Sequence, residues 1–167
     1  GGGAARDAMI GSLNQLILRL LSVAPPAKLS FTIIDPVGLG DGFSGLMHLA
    51  DYDESLISSR IWTQSQQIDA RLGDLNDHIE KVIQMYLRNE FPNITEYNRQ
   101  AGKIAEKYHF VVIADFPANF SERAAKRLLS IATSGARCGV YLLMHWDRKR
   151  HAPQEFVADQ VRPHCLR

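Results

Sequence analysis

Three stretches of this chain are apolar almost without a break: "LSFTII" at 29–34, "HFVVIA" at 109–114 and "GVYLLM" at 139–144. A strand buried on one face alternates apolar with polar, whereas a strand buried on both faces reads as a continuous run. Such strands lie in parallel sheets covered by helices on either side, because parallel neighbours need a crossover to connect them. The intervening residues supply those crossovers. Met9, Leu13, Leu16, Ile17, Leu20 and Leu21 recur at spacings of three and four, the stripe of a helix that Pro25 and Pro26 stop. Thr63 is placed to cap the longest helix, Gln64 to about Asn89, whose apolar stripe includes Ile68, Leu72, Leu75, Ile79, Val82 and Leu87, with Pro92 beyond its end. A short extended piece precedes it at Arg60–Trp62. "ITEYNRQAGKI" reads as a shorter helix, and "SERAAKRLLSIATSG" as one capped by Ser121 and closed by Gly135.

The chain has 167 residues, 46% of them apolar and 22% charged, which suits one globular domain with a real core. A formal net charge of +1 gives no field that argues for nucleic acid or anionic membrane. Cys138 and Cys165, with no CxxC spacing and no paired histidines, argue against a zinc site or a disulfide framework and suit the reducing cytoplasm. No apolar run approaches the roughly 20 residues of a membrane span, so no membrane contact is expected. The opening "GGGAARD" reads as a cut inside a longer protein whose first strand is missing from this chain. The domain is expected over residues 1–147, with 148–167 as an irregular C-terminal extension.

Candidate site residues follow from position. Asp115 ends a buried strand, where open α/β sheets build their sites; it also suits a turn before Pro117. Asp35 ends another strand before "PVGLGDG", where a turn aspartate is the simpler reading. His48 with Asp51, Asp53 and Glu54 imitates a metal cluster but reads better as a solvated acidic loop. Arg148 to His151, "RKRH", reads as a solvated basic run, and Trp62 and Trp146 lack the basic and aromatic neighbours of a stacking platform.

The order of these segments resembles the motor domain of the FtsK/SpoIIIE family of DNA translocases, within the class that includes HerA-like ATPases and type VII secretion ATPases. "NQLILRLLSVAPPAKLSFTIIDP" is similar to the helix after that family's phosphate loop and its next strand. "LMHLADYDE" through "EKVIQMYLRNEFPNITEYN" resembles its long-helix segment, "FVVIADFPANF" its Walker B strand, and "GARCGVYLLMHWDRK" its sensor strand. The resemblance spans Asn14 to Arg148. It implies an α/β, P-loop NTPase-like fold, with ATP and magnesium as ligands, Asp115 as the magnesium-binding acid and Asp147 at the sensor position.

The departures weaken the catalytic expectation. A working phosphate loop is GxxxxGK[ST], whose amides wrap the phosphates and whose Lys neutralises them. Aligned through Asn14, the Lys and Ser positions fall at Met9 and Ile10; aligned through the glycines, at Arg6 and Asp7. Gly1, Gly2 and Gly3 with Arg6 as substitute cation are the remaining candidates for a nucleotide-binding loop, against a plain flexible terminus. The glutamate that activates water in the family is replaced by Phe116, which accepts no proton, and Asp147 would repel a γ-phosphate. ATP and magnesium binding is therefore expected to be weak or absent.

Three functions remain at this point. One is a degenerate ATPase domain serving as a regulatory or assembly module of a larger translocase or secretion ATPase. It would contact other domains of the parent, neighbouring subunits or a second copy of itself, with DNA or a secreted protein as the parent's substrate. Another is an active motor whose unusual phosphate loop is completed upstream or in trans. The last is an unrelated flavodoxin-like binding domain.

Overall fold

The computed structural model describes residues 2–23, 28–52 and 60–153, with the backbone alone at 2 and over 49–52. Strands β1 (Leu29–Ile34), β2 (Tyr108–Phe116) and β3 (Val140–Trp146) form one sheet in the order β1-β2-β3, every pair parallel. Phe31 stands beside Phe110 and Ile33 beside Val112; on the other side Ile113 stands beside Met144. The piece at 60–62 adds a single parallel bridge between Trp62 and Ile34 on the outer edge of β1.

Pleating sends alternate residues of each strand to opposite layers. One face presents Phe31, Ile33, Phe110, Val112 and Leu143 to Ile10, Leu13 and Ile17 of helix α1 (Gly2–Val23) and to Leu46 of α2 (Ser44–Tyr52). The other presents Val111, Ile113, Val140 and Leu142 to α3 (Ser65–Lys81), α4 (Ile94–Ala101) and α5 (Glu122–Ser134), through Leu72, Ile94 and Leu128 among others. The three-layer α/β architecture is thus the expected one, and its cause is visible: β2, flanked by both other strands, is buried from Phe110 to Phe116. Among the described residues no helix is long and apolar enough to cross a membrane.

Several boundaries differ from expectation. Gln64, not Thr63, is the residue before α3, and its side chain makes no cap bond; the Thr63 carbonyl instead accepts from Asn119 Nδ2 at 2.9 Å. The long helix changes character at Val82–Leu87, a π turn in which Arg88 N donates to Ile83 O at 3.0 Å. Residues five apart diverge on an α-helix but converge on the wider π turn. Val82 and Leu87 are accordingly both fully buried while Met85 is exposed. α4 stops at Ala101, before Gly102 at φ 60°, and is capped by Asn93, whose side chain accepts from Glu96 N at 3.0 Å. Ser121 caps α5 by accepting from Ala124 N at 3.0 Å.

Gly135 ends α5 for a different reason than the expected left-handed cap. Its φ is −69°, and a Cβ there would lie 2.6 Å from the Val140 carbonyl oxygen. The left-handed turn into β3 falls at Gly139, φ 78°. Between α3 and α5, buried Asp69 accepts from Arg123 Nε at 2.7 Å and from Arg127 Nη1 at 2.8 Å, and Arg127 Nη1 also reaches the Asp69 carbonyl at 2.7 Å. Asp69→Ala is expected to cost about 1–3 kcal/mol by stranding Arg127's donors, read as a lower urea midpoint at unchanged slope. Gly135→Ala is expected to cost about 1–3 kcal/mol, because backbone rather than a flexible side chain must give way. A Gly135→Ala variant as stable as the parent in the same denaturation would refute the close approach.

Candidate functional site

The site lies where β1 and β2 end. Parallel strands in register bring their carboxyl ends to the same edge of the sheet, so Asp35 and Asp115 emerge as neighbours although 80 residues apart in the chain. Both are buried, at 0% and 3% exposure. Asp115 itself adopts φ 55°, a left-handed conformation that Asp tolerates better than most residues. It sits in the irregularity of β2 between Ile113 and Phe116 where the pairing with β3 shifts register.

Asp35 is the turn residue the sequence indicated. Its Oδ1 accepts from Gly38 N at 3.0 Å and its Oδ2 from Gly40 N at 2.9 Å. Gly40 stands at φ 94°, and a Cβ on Gly38 would meet Arg6 Nη2 at 2.7 Å and Asp35 Oδ2 at 2.8 Å. The glycines of "VGLGDG" therefore let the backbone close around a charged cluster.

The cation of that cluster is Arg6, from the second turn of α1. Its Nε donates to Asp115 Oδ1 at 2.9 Å and Oδ2 at 3.0 Å, and its Nη2 donates to Asp115 Oδ2 at 2.7 Å. The same Nη2 lies 3.4 Å from Asp35 Oδ1. The Asp115 hydrogen bond is the main reason the Arg6 guanidinium is held above its ordinary range; burial pulls the other way. Of the two registers left open for the missing Lys and Ser, Met9 faces outward and Ile10 packs in the core, while Arg6 reaches the strand ends. Gly2 and Gly3 lie in the first turn of α1 rather than in a loop; Gly1 is outside the described residues.

Around this centre, His145 Nδ1 accepts from Asp115 N at 3.3 Å and stands 3.4 Å from Asp115 Oδ1. A nitrogen that accepts carries no proton, so this contact is not an ion pair in that tautomer. Phe116 is fully buried, edge-on to Phe120 at 4.9 Å and to Trp146 at 5.1 Å between ring centroids. Asp147 follows β3 and serves a turn: its carboxylate accepts from Lys149 N at 3.1 Å and Arg150 Nε at 3.2 Å, while its own N–H donates to Phe116 O at 2.9 Å. A groove of about 470 Å³ runs beside Arg6, Asp7, Asn14 and Asp41.

The remaining candidates separate. His48 is exposed and Asp51 lies in α2, while Asp53 and Glu54 fall outside the described residues, as does Cys165. Cys138 is buried, its Sγ 3.8 Å from the Ile79 carbonyl oxygen, and burial pushes its thiol up. Arg148, Lys149 and Arg150 are exposed. Trp62 does have basic neighbours, contrary to the sequence expectation: the guanidinium carbons of Arg60 and Arg71 lie 4.9 and 5.2 Å from its ring centroid. Arg71 comes from α3, and only the fold brings it over the ring. The role of His145 beside Asp115 was also missed; its signal was its place at the end of the strand that pairs with β2. A second missed group is His78, Glu106 and His109, which three separate segments carry to one place.

No family model matches the sequence. No curated protein sequence matches it either. Several solved structures match the fold, two of them as follows. The pCW3 conjugation coupling protein TcpA, in a monomer form with ATPgS, superposes with a TM-score of 0.61 at 16% identity, over 91% of this chain. The cytoplasmic domain of the Thermomonospora curvata type VII secretion ATPase EccC superposes with a TM-score of 0.66 at 18% identity, over 95%. This chain spans 41% of the first and 18% of the second. At these identities the likeness speaks for the fold alone: a parallel three-stranded sheet with helices on both faces, as found within these two larger proteins.

Proposed function

We propose that this chain is a catalytically degenerate FtsK/SpoIIIE-like ATPase domain that acts as a regulatory or assembly module within a larger translocase or secretion-type ATPase. The observation that carries this reading is the Arg6 guanidinium clamped on Asp115. In the resembling family that acid holds magnesium, which in turn needs substrate phosphates as co-ligands. Arg6 takes up both Asp115 oxygens from the protein side, so the carboxylate already has its counter-charge. The residue after Asp115 fills space with Phe116 instead of offering a base, and Asp147 is engaged in its own turn. Outward-facing Met9 and Leu16, seven residues apart on one side of α1, offer an apolar contact for a neighbouring domain, subunit or copy. The alternative, an active motor completed upstream or in trans, draws support from the open groove beside Arg6 and from TcpA's structure with ATPgS.

Magnesium-ATP titration with phosphate-release kinetics decides between them. The proposal expects neither a stoichiometric binding heat nor turnover, and expects Asp115→Ala to leave turnover unchanged. Hydrolysis by the parent chain that Asp115→Ala abolishes would restore the motor. Arg6→Ala is expected to lose about 3–5 kcal/mol, because it leaves two buried carboxylates without their cation. Millimolar magnesium should recover part of that loss in Arg6→Ala and add little to the parent, as guanidinium denaturation with and without the ion would show. Equal magnesium effects on both chains would mean Arg6 does not occupy the cation's place.

A further inference from the structure

At the opposite end of β2 from Asp115 and Arg6, three segments converge on one point. His78 comes from the last turn of α3, His109 from the start of β2 and Glu106 from the approach to β2. One ligand-capable atom of each lies within 4.8 Å of the other two, and the two imidazole centroids are 4.6 Å apart. The Nε2 atoms of His78 and His109 are both buried with no hydrogen-bond partner. A buried polar nitrogen without a partner costs free energy unless something occupies its lone pair or takes its proton. Two such imidazoles side by side, with a carboxylate in the same group, call for one shared occupant.

From this geometry we propose that His78, His109 and Glu106 form a binding site for a divalent transition ion of the zinc type. Two imidazole nitrogens and one carboxylate oxygen are a donor set that suits Zn²⁺ over the harder Mg²⁺ or Ca²⁺. An ion bonded at about 2.0–2.2 Å to each draws tetrahedral donors to within roughly 3.4 Å of one another, a closure that side-chain rotation supplies. The backbone that must not move is already held. Asn98 of α4 clasps Glu106 from both sides, its Oδ1 accepting from Glu106 N at 2.8 Å and its Nδ2 donating to Glu106 O at 3.0 Å. His109 is locked in the sheet, its N–H donating to Gly139 O at 2.7 Å.

The electrostatics agree with that occupant. Burial holds both imidazoles toward the neutral, ligating form, pushing His109 down to about 4 and His78 below its ordinary value, while Glu106 pulls His78 the other way. A cavity of about 340 Å³ opens beside the pair, lined also by Thr32, Arg71 and Asp74, and leaves room for a water as the fourth ligand. The sequence argued against zinc because its histidines show no paired spacing; the pairing exists only across α3 and β2. The ion would tie α3 and the segment after α4 to the central strand, and this role is independent of whether the domain hydrolyses ATP.

The test is Zn²⁺ alone added to chelator-treated protein, followed by calorimetry and by thermal unfolding. One equivalent should bind at micromolar affinity or better and raise the melting midpoint by a few degrees. His78→Ala and Glu106→Gln should each weaken uptake at least tenfold; Glu106→Gln, being near-isosteric, reads the site even if a histidine variant folds poorly. Co²⁺ in the same place should give the intense visible absorption of a four-coordinate ion. Uptake that Glu106→Gln and His78→Ala leave unchanged, no saturable uptake by the parent chain, or a Co²⁺ spectrum like that of the aqueous ion would each overturn the assignment.

Discussion

A carboxylate at the end of a strand buried on both faces has to be neutralised by something, and in this molecule the Arg6–Asp115 pair does it. Asp115 is 3% exposed and Asp35 fully buried. Removing such charges from water costs several kcal/mol each unless well-formed hydrogen bonds and an opposite charge replace the lost hydration. Arg6 contributes three hydrogen bonds to Asp115 and approaches Asp35, and the amides of Gly38 and Gly40 complete the Asp35 shell. The first turns of α1, the glycine-rich loop and the end of β2 all meet in that one arrangement. It sets the start of α1 against the strand ends, on the same edge of the sheet where a P-loop-like fold would hold a nucleotide.

The two layers of the sheet divide the labour. On the α1 face lies the charged cluster with its groove; on the α3 and α5 face lie the Asp69 ion network and the His78–Glu106–His109 group. The second face is the more tightly tied, because Asp69 holds Arg123 and Arg127 across the helix pair and the π turn keeps both Val82 and Leu87 in the core. Likeness to TcpA and EccC extends to the fold, since backbone positions are what a superposition compares. It does not carry catalysis, which depends on individual side chains at the strand ends.

The sequence by itself determined the architecture. Continuous apolar runs leave a strand no solvent face, so "SFTII", "FVVIA" and "VYLLM" were bound to a covered parallel sheet, and the period-3.6 stripes supplied the covers. Local chemistry was legible too: Ser121 as a cap, Asp35 as a turn residue and Asp115 as the acid at a strand end all follow from near neighbours. Boundaries that depend on distant atoms were not. α3 starts one residue later than Thr63 could cap, Gly135 answers to the Val140 carbonyl, and the π turn brings Val82 and Leu87 into the same core. Only the tertiary structure decided what the charges do. Arg6 stands 109 positions from Asp115, Arg71 meets Trp62 from another element, and His78 and His109 meet from a helix and a strand. Periodicity encodes which face of an element is buried, but it carries no record of which residues on two buried faces will touch, because that is set when the layers pack.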